Sequence, residues 1–222
     1  MAFQTWHNKK ALLLADGARL SADQLSHLAS WAEVIVGIDG GARHALAEGI
    51  RLDLLLGDFD SLEGEIISKL TASGTVIQRY PVQKDATDTE LALQLAVKSG
   101  VKEVVVVSGL GDRLDHSLAN LFLLGKYATQ VTLTWVTAFG RLYYLSETSP
   151  EFSAKLPPDR VFSIIALSNC LEGLSISGAK YPLNRFCLNF GSTVGVSNQS
   201  MGGLLEVKID RGLGVIVIPE VN

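Results

Sequence analysis

The chain has 222 residues, 47% of them hydrophobic and 19% charged, with a formal net charge of -4 and a pI of about 5.6. This composition is typical of a globular protein with one large domain or two small ones. A net negative charge gives no global positive field, so no nucleic-acid partner is expected. No apolar run approaches the ~20 residues of a membrane span, and the N-terminus lacks a secretory apolar segment. We therefore expect a cytoplasmic protein without membrane contact.

Short apolar runs alternate with amphipathic segments of helical period through residue 137. Ser21 and Thr87 are predicted to cap helices, and Thr87 has the capping-box spacing to Glu90. Such alternation predicts a parallel sheet with helices on both faces, and ligands of such sheets bind beyond the carboxyl ends of the strands. The predicted strands are 11–15, 34–38, 52–56, 76–80, 104–107 and, as the last of the series, 131–136.

The composition changes at residues 146–158, which contain three prolines and which we interpret as a linker. Beyond it the helical period disappears, and short strand candidates separated by turn residues predict a small antiparallel sandwich or barrel. The predicted fold is therefore a three-layer α/β domain at residues 1–147 followed by an all-β domain at residues 148–222. The only two cysteines, Cys170 and Cys187, are too few for a disulfide framework, so we predict thiols in or near the core. The strand candidates of the second domain are 161–167, 174–176, 186–190, 204–209 and 214–218.

Two aspartates, Asp58 and Asp60, follow the strand predicted at residues 52–56. Because side chains alternate along an extended backbone, both carboxylates are expected on the same side. Like charges this close repel each other unless a cation lies between them, and Mg²⁺ prefers hard oxygen ligands. A metal site is one interpretation. The other is that both residues form a turn, with Asp60 or Ser61 capping the next helix.

Lys84, Asp85 and Asp88 lie at a predicted helix start, where free N–H groups and the positive end of the helix dipole favour a phosphate. Asp85 and Asp88 are one helical turn apart and are expected to share a face. In the alternative interpretation both aspartates only complement the helix dipole, and Lys84 is merely solvated.

A loop at residues 108–116 joins a predicted strand to a helix, and Gly109 in it allows a ligand to approach the backbone. The Arg113 guanidinium can fork onto phosphate oxygens, while Asp115 beside it orients the guanidinium or holds a metal. His116 is an acid or base candidate, with an ordinary helix-start hydrogen bond as the alternative. The chain has no Gly-x-x-x-x-Gly-Lys-Ser/Thr loop, which excludes a P-loop enzyme.

Taken in chain order, five segments together resemble the thiamine pyrophosphokinase family. Each is weak alone, but the ordered set is specific and covers both halves of the chain. The resemblance implies an α/β domain followed by a small β domain, and transfer of diphosphate from ATP to the hydroxyl of thiamine with release of AMP. The segments are Asp39-Gly40-Gly41-Ala42, Gly57-Asp58-Phe59-Asp60-Ser61, Asp85-Ala86-Thr87-Asp88, Arg113-Leu114-Asp115-His116 and Val196-Ser197-Asn198.

The resemblance also implies site residues and a homodimer whose active sites lie at the subunit interface. Thiamine is expected to contact Ser197 and Asn198. The expected ligands of Mg²⁺ are Asp58, Asp60, Asp85 and Asp115, which together with Arg113 form the expected catalytic set. The expected contacts of ATP and its phosphates are Asp39, Gly40, Lys84, Asp88, Gly109, Arg113 and His116.

The loop after Asn198 lacks the aromatic residue that stacks on thiamine in some relatives, so Met201 is considered as an apolar surface instead. Two other functions stay open. One is diphosphate transfer to another heterocyclic alcohol, such as a pterin, because the acidic motifs specify nucleotide and metal better than the acceptor. The other is a sensor that binds nucleotide or thiamine without turnover.

Overall fold

The computed structural model describes residues 6–60, 62–110 and 113–220, so the cap candidate Ser61 lies outside the described residues. The chain forms two compact units: residues 1–120 with 135–138, and residues 121–134 with 139–222. The predicted domain boundary between residues 147 and 148 stays a prediction.

Strands and helices alternate strictly along the first unit. In chain order its elements are β1 (Lys10–Leu14), α1 (Ala22–Trp31), β2 (Val34–Ile38), α2 (Ala42–Ala47), β3 (Leu54–Gly57), α3 (Gly64–Ala72), β4 (Val76–Arg79), α4 (Asp88–Lys98) and β5 (Glu103–Val107). A 3₁₀ turn, Asp39–Gly41, joins β2 to α2. The strands β5, β1, β2, β3 and β4 lie side by side in that order, and all four pairings are parallel. The predicted parallel α/β architecture is confirmed.

The core of the first unit follows from strands that are apolar on both faces. Leu12, Leu14 and Leu55 pack with residues of α1, α2 and α3 in one buried cluster. Successive side chains alternate between faces, and intervening residues such as Leu13 and Val106 are also buried, at 0% and 1% exposure. Because both faces are covered, ligands of such a sheet are expected beyond the carboxyl ends of its strands.

The second unit is antiparallel. Helix α5 (Leu114–Ala128) and strand β6 (Thr132–Thr137) contribute residues to both units. The remaining strands are β7 (Gly140–Leu145), β8 (Glu151–Leu156), β9 (Val161–Ala166), β10 (Cys170–Ser177), β11 (Leu183–Asn189), β12 (Asn198–Gln199), β13 (Gly203–Lys208) and β14 (Gly214–Pro219). Strand β14 pairs with β7 and β9, β12 pairs with β9, and a second sheet has the order β11, β10, β13, β8. The predicted antiparallel β architecture is confirmed.

The linker prediction for the middle of the chain was wrong. The interpreted linker at residues 146–158 contains β8, which pairs with β13 along its whole length from Glu151 opposite Lys208 to Leu156 opposite Gly203. Strand β7, which follows β6 after two residues without an intervening helix, was not predicted. The flanking prolines led to the linker prediction. Strand β8 nevertheless alternates exposed and partly buried residues, as a strand with one solvent face requires.

The prediction of two free thiols was also wrong. Cys170 and Cys187 form a disulfide bond, with their Cα atoms 6.0 Å apart. They are brought together because β10 and β11 are adjacent antiparallel strands, an arrangement that a spacing of 17 residues does not reveal.

Within the described ranges, no helix combines the length and the apolar character that a membrane crossing requires.

The cap of α1 gives the first prediction. Ser21 Oγ accepts a hydrogen bond from Gln24 N at 3.3 Å, and Gln24 Oε1 accepts one from Ser21 N at 3.2 Å. Ser21→Ala leaves the Gln24 amide without this acceptor, so we expect the free energy of unfolding to fall by about 1 kcal/mol. Urea unfolding followed by circular dichroism measures the change. Ser26→Ala on the exposed side of the same helix is the matched control and should stay within about 0.5 kcal/mol of the parent.

Candidate active site

Non-glycine residues adopt positive φ angles at the ends of three parallel strands. Asp39 has φ 42° after β2, Phe59 has φ 63° after β3, and Ser108 has φ 63° after β5. Each such conformation costs on the order of 1–3 kcal/mol, and residues of this kind cluster at ligand sites. The sheet therefore concentrates backbone strain at one edge, its carboxyl edge.

Two glycines allow side chains at this edge to approach the main chain. A Cβ atom on Gly57, which has φ 149°, would lie 1.8 Å from Asp39 Oδ1. A Cβ atom on Gly40 would lie 2.3 Å from Asp16 Oδ2. The position of Gly57 therefore requires glycine, because its positive φ adds to the close approach of Asp39, whereas a Cβ at Gly40 would displace the exposed end of the Asp16 side chain.

Three carboxylates converge at this edge. Asp39, Asp58 and Asp88 each offer one oxygen, and these oxygens lie within 4.8 Å of one another. Asp39 follows β2, Asp58 follows β3, and Asp88 is the first residue of α4, whose N-cap is Thr87. Asp88 Oδ1 is buried and makes no hydrogen bond. The edge therefore carries negative charge that the described hydrogen bonds satisfy only in part.

Lys84 lies against two of these carboxylates, Asp58 and Asp88. Its Nζ lies 3.0 Å from Asp58 Oδ2 and 2.9 Å from Asp88 Oδ1; the second contact is an ion pair without hydrogen-bond geometry at the oxygen. The hydrogen bond from Lys84, followed by one from Asp60 N, holds the pKa of Asp58 below its usual range. Burial lowers the pKa of Lys84, but its contacts with Asp88 and Asp58 outweigh burial and raise the pKa overall.

Asp39 has the largest perturbation of the three carboxyl groups. Burial first, and then the negative charges of Asp88 and Asp58, raise its pKa from 3.8 to about 7, while a hydrogen bond from Phe59 N opposes the rise. That bond, from Phe59 N to Asp39 Oδ1, measures 3.2 Å. Near neutral pH, Asp39 is thus divided between its protonated and ionised forms, and a cation placed at this edge would favour the ionised form.

A cleft of about 560 Å³ lies at this edge, and the described residues that line it belong to the first unit. Asp39 and Asp88 line it together with Gly109, Arg113 and His116. The guanidinium of Arg113 binds both carboxylate oxygens of Asp115, with Nη2 2.6 Å from Oδ2 and Nε 3.3 Å from Oδ1. The cleft thus combines acidic groups with a guanidinium whose orientation a neighbouring carboxylate fixes.

Three of the four predicted metal ligands lie outside the carboxylate group. Asp60 is exposed, and its amide N donates to Asp58 Oδ1 at 3.2 Å. Asp115 is exposed, and Arg113 occupies both of its oxygens. Asp85 precedes the cap Thr87, so the prediction that Asp85 and Asp88 share a helical face was wrong. The expected alternation of Asp58 and Asp60 along extended backbone was also wrong, because Phe59 between them has φ 63°.

Asp16 and Asn120 are among the residues of the cleft that sequence interpretation missed. Asp16 follows β1, and its Oδ1 accepts a hydrogen bond from Gly17 N at 2.9 Å and lies 3.8 Å from Nε2 of the buried His44. Asn120 Nδ2 donates to Gly109 O at 2.8 Å, which anchors the loop to α5. The position of Asp16 after an apolar strand was an available signal, because Asp39 and Asp58 occupy the same kind of position.

Ser197 and Asn198 lie in the second unit and differ in their surroundings. Ser197 is exposed, with φ 58°, and its N donates to Ser163 Oγ at 3.1 Å. Asn198 is buried. Its Oδ1 accepts a hydrogen bond from Tyr181 N at 3.1 Å, and its Nδ2 donates one to Tyr181 O at 2.8 Å. The Tyr181 ring is 60% exposed. Asn198 therefore holds an exposed aromatic residue that sequence interpretation did not single out.

Comparison with known proteins identifies the family. The catalytic domain of thiamin pyrophosphokinase matches residues 25–135, and the vitamin B1 binding domain of thiamin pyrophosphokinase matches residues 151–213. The chain belongs to the thiamine pyrophosphokinase family. The predicted family and function, and the predicted enzyme class of ATP:thiamine diphosphotransferase, are thereby confirmed.

Individual relatives agree with the family assignment. The thiamine pyrophosphokinase of Bacillus subtilis (strain 168) is 28% identical over 183 residues, which are 82% of this chain and 85% of that protein. The crystal structure of the thiamine pyrophosphokinase from Bacillus subtilis has a TM-score of 0.82 at 24% identity and covers 96% of this chain and 100% of its own. The enzyme from Geobacillus thermodenitrificans has a TM-score of 0.78 at 26% identity, covering 96% and 98%. The two-unit fold is thus that of thiamine pyrophosphokinases.

Gly57→Ala tests the close approach of Asp39. The added Cβ collides with Asp39 Oδ1, and φ 149° is unfavourable for alanine, so we expect the free energy of unfolding to fall by roughly 1–3 kcal/mol. Denaturant unfolding measures this change. Gly64→Ala is the matched control, because its Cβ meets nothing within 4 Å at the start of α3, and it should stay within about 0.5 kcal/mol of the parent. Equal effects of the two substitutions would contradict the steric argument.

The raised pKa of Asp39 predicts a pH dependence of stability. Because its pKa is about 7 in the folded chain and 3.8 ordinarily, the stability contributed by protonated Asp39 is complete below pH 3.8 and is lost as the pH rises through 7. Asp39→Asn resembles the protonated form at every pH. In metal-free buffer, we therefore expect the parent to lose more than about 1 kcal/mol relative to Asp39→Asn between pH 4 and pH 8. Parallel pH profiles of the two proteins would show that Asp39 titrates normally.

Proposed function

We propose that the cleft of the first unit is where diphosphate passes from ATP to the hydroxyl of thiamine, and that the transfer depends on Mg²⁺. The observation that carries this proposal is the group of Asp39, Asp58 and Asp88, two of which, Asp39 and Asp88, line a cleft that Arg113 also lines. Phosphate oxygens need positive charge, and a divalent cation at carboxylates together with a guanidinium supplies it.

The carboxylate group fits a divalent cation. Asp88 Oδ1 is buried without a hydrogen bond and the pKa of Asp39 is raised, and both reflect negative charge that a cation would neutralise. Oxygen-only ligands match the preference of Mg²⁺. We propose Asp58 as the central ligand with Asp39 and Asp88 beside it, while Asp60, Asp85 and Asp115 stay predicted ligands. When bound, Mg²⁺ would neutralise phosphate oxygens of ATP.

Residues around the group would hold the remaining phosphate charge. Asp88 is the first residue of α4, and the positive end of the helix dipole at this N-terminus supports phosphate binding. Arg113 keeps a fixed orientation through Asp115 and can present its free N–H groups to a phosphate. The predicted roles of Gly40, Lys84, Gly109 and His116 in binding ATP are supported by their positions on the same strand edge, its loops or the cleft wall.

For thiamine we propose contacts from the second unit. Ser197 has an exposed side chain that can donate or accept a hydrogen bond at a ring edge. Asn198 is engaged with the backbone of Tyr181, so its contribution would be to position that residue. The Lys180 ammonium lies 5.8 Å from the centroid of the Tyr181 ring, and a cationic heterocycle would take its place there. Met201 is 65% exposed and offers a further apolar surface.

The assembly and the limits of the domains are part of the same proposal. The predicted homodimer, with active sites at the subunit interface, is supported by the resemblance on which it was predicted. A domain boundary near residue 147 is supported by the gap between the two matched family domains, 25–135 and 151–213. The cytoplasmic location also stays a prediction.

Acceptor-dependent release of AMP tests the function. The purified chain with ATP and Mg²⁺ should release AMP when thiamine is added, and substantially less with a pterin alcohol in its place. Release with the pterin alcohol but not with thiamine would favour the alternative acceptor. Binding of thiamine and nucleotide by calorimetry without any AMP release would favour a sensor.

Removing the central carboxylate should remove the activity. Asp58→Asn replaces a charged ligand with a neutral amide, so we expect thiamine-dependent AMP release to fall by roughly 100-fold or more at saturating Mg²⁺ while the chain stays folded. Asp23→Asn, on the exposed first turn of α1, is the control and should keep full activity. Asp88→Asn and Asp85→Asn are compared in the same assay. A larger loss of AMP release in Asp88→Asn would favour the observed carboxylate group, and a larger loss in Asp85→Asn would favour the predicted ligand set.

The bidentate contact of Arg113 with Asp115 predicts that arginine and lysine are not equivalent at this position. Arg113→Lys keeps the charge but loses the planar fork, so we expect the rate of AMP release to fall by about tenfold or more. Arg185→Lys, at an exposed ion pair with Asp210 in the second unit, is the matched control and should have no effect on the rate. Full activity of Arg113→Lys would reduce the role of Arg113 to a long-range charge.

A further inference from the structure

Lys84 lies where two of the three clustered carboxylates meet. Its Nζ is within 3.0 Å of both Asp58 Oδ2 and Asp88 Oδ1. The side chains of Lys84, Asp58 and Asp88 are only 14%, 13% and 15% exposed, so water screens these charges weakly. One ammonium therefore balances two partly buried carboxylates at the centre of the site.

The same two carboxylates belong to the group that fits a divalent cation. A divalent ion bound by Asp58 and Asp88 and the Lys84 ammonium would compete for the same negative charge, and two cations so close would repel each other. We propose that Lys84 is the exchangeable counter-ion of the site: it neutralises Asp58 and Asp88 before the metal binds and leaves both when the metal arrives. This inference rests on the metal site of the proposed function.

The side chain and its place in the chain suit an exchange. An ammonium on a flexible four-carbon stem is a point charge that can move without a fixed geometry, unlike the planar guanidinium of arginine. Lys84 lies between β4 and α4, four residues before Asp88, in a part of the chain without helix or strand. Before the metal binds, Lys84 holds Asp58 and Asp88 in place. Once released, its three N–H donors are free to bind a phosphate oxygen of ATP.

Removing Lys84 should strengthen metal binding, whereas removal of an ordinary supporting residue would weaken it. Mn²⁺ binding to the full chain without nucleotide is measured by electron paramagnetic resonance of the free ion. We expect Lys84→Met to bind Mn²⁺ at least about tenfold more tightly than the parent, because the ion no longer has to displace an ammonium. Unchanged or weaker binding by Lys84→Met would overturn the proposal, and so would a lack of binding by both proteins.

A second cation near the same aspartate provides the matched control. Arg79 Nη1 donates to the backbone oxygen of Asp58 at 3.2 Å, and its guanidinium lies over the Phe59 ring, 5.0 Å from the ring centroid. Arg79→Met removes one positive charge from the neighbourhood but not from between the carboxylates. Because Arg79 is exposed and screened, Mn²⁺ affinity should change by less than about threefold. An equal gain in both variants would indicate a general charge effect and overturn the exchange.

Chemical labelling of the parent protein tests the movement directly and does not depend on the folding of a variant. An amine-reactive ester is applied with and without saturating Mn²⁺, and the labelled lysines are quantified by mass spectrometry. Labelling of Lys84 should rise several-fold with the metal, whereas that of Lys208, paired with Glu151 in the second unit, should not change. Metal binding with no rise at Lys84 would overturn the proposal.

Asp58→Asn separates this inference from the proposed function. If Asp58→Asn loses Mn²⁺ binding while Lys84→Met gains nothing, the metal site stands and the counter-ion exchange fails. If Asp58→Asn binds Mn²⁺ as the parent does, the proposed metal site itself fails.

Discussion

The mutual repulsion of three carboxylates is the constraint around which the first unit is arranged. Asp39, Asp58 and Asp88 come from two strand ends and one helix start, and their oxygens lie within 4.8 Å of one another. The chain offsets this repulsion with the Lys84 ammonium, with the Phe59 amide and with a proton on Asp39. A sheet covered on both faces supplies the rigidity that keeps the three groups together despite the cost.

Much of the fold could be predicted because its signals are local. Strands apolar at every position and helices with caps such as Ser21 and Thr87 can be recognised within ten residues of sequence. The errors occurred in segments whose structure depends on pairing with another part of the chain. Strand β8 lies between prolines and is half polar, and its pairing with β13, about 50 residues later, could not be seen in the segment itself. The disulfide has the same origin, since it depends on β10 lying beside β11.

Several residues that line the cleft or form the carboxylate group were singled out from the sequence, but their grouping was not. Asp39 and Asp58 come together because β2 lies beside β3, and Asp88 joins them because α4 packs against both strands. Strand order is a property of the whole sheet, so spacing could not separate Asp88 from Asp85 or Asp58 from Asp60. Two local details, the cap at Thr87 and the positive φ at Phe59, decide those pairs. The role of the buried Asn198 amide likewise could not be predicted, because its partner Tyr181 lies 17 residues away in the chain.

The positive φ angles of Asp39, Phe59 and Ser108 have a consequence for how this sequence can change. At Asp39, glycine would adopt the same conformation without strain and would remove one of the three repelling carboxylates, so random variants selected for folding alone would accumulate glycine there. Phe59 and Ser108 would be retained, because Phe59 is buried in the core and Ser108 Oγ donates to Ala18 O. Variants selected for ligand binding would not accept glycine at Asp39, because the carboxylate is needed there. The difference between the two selected populations would thus mark the ligand-binding edge of the sheet without any ligand having been observed.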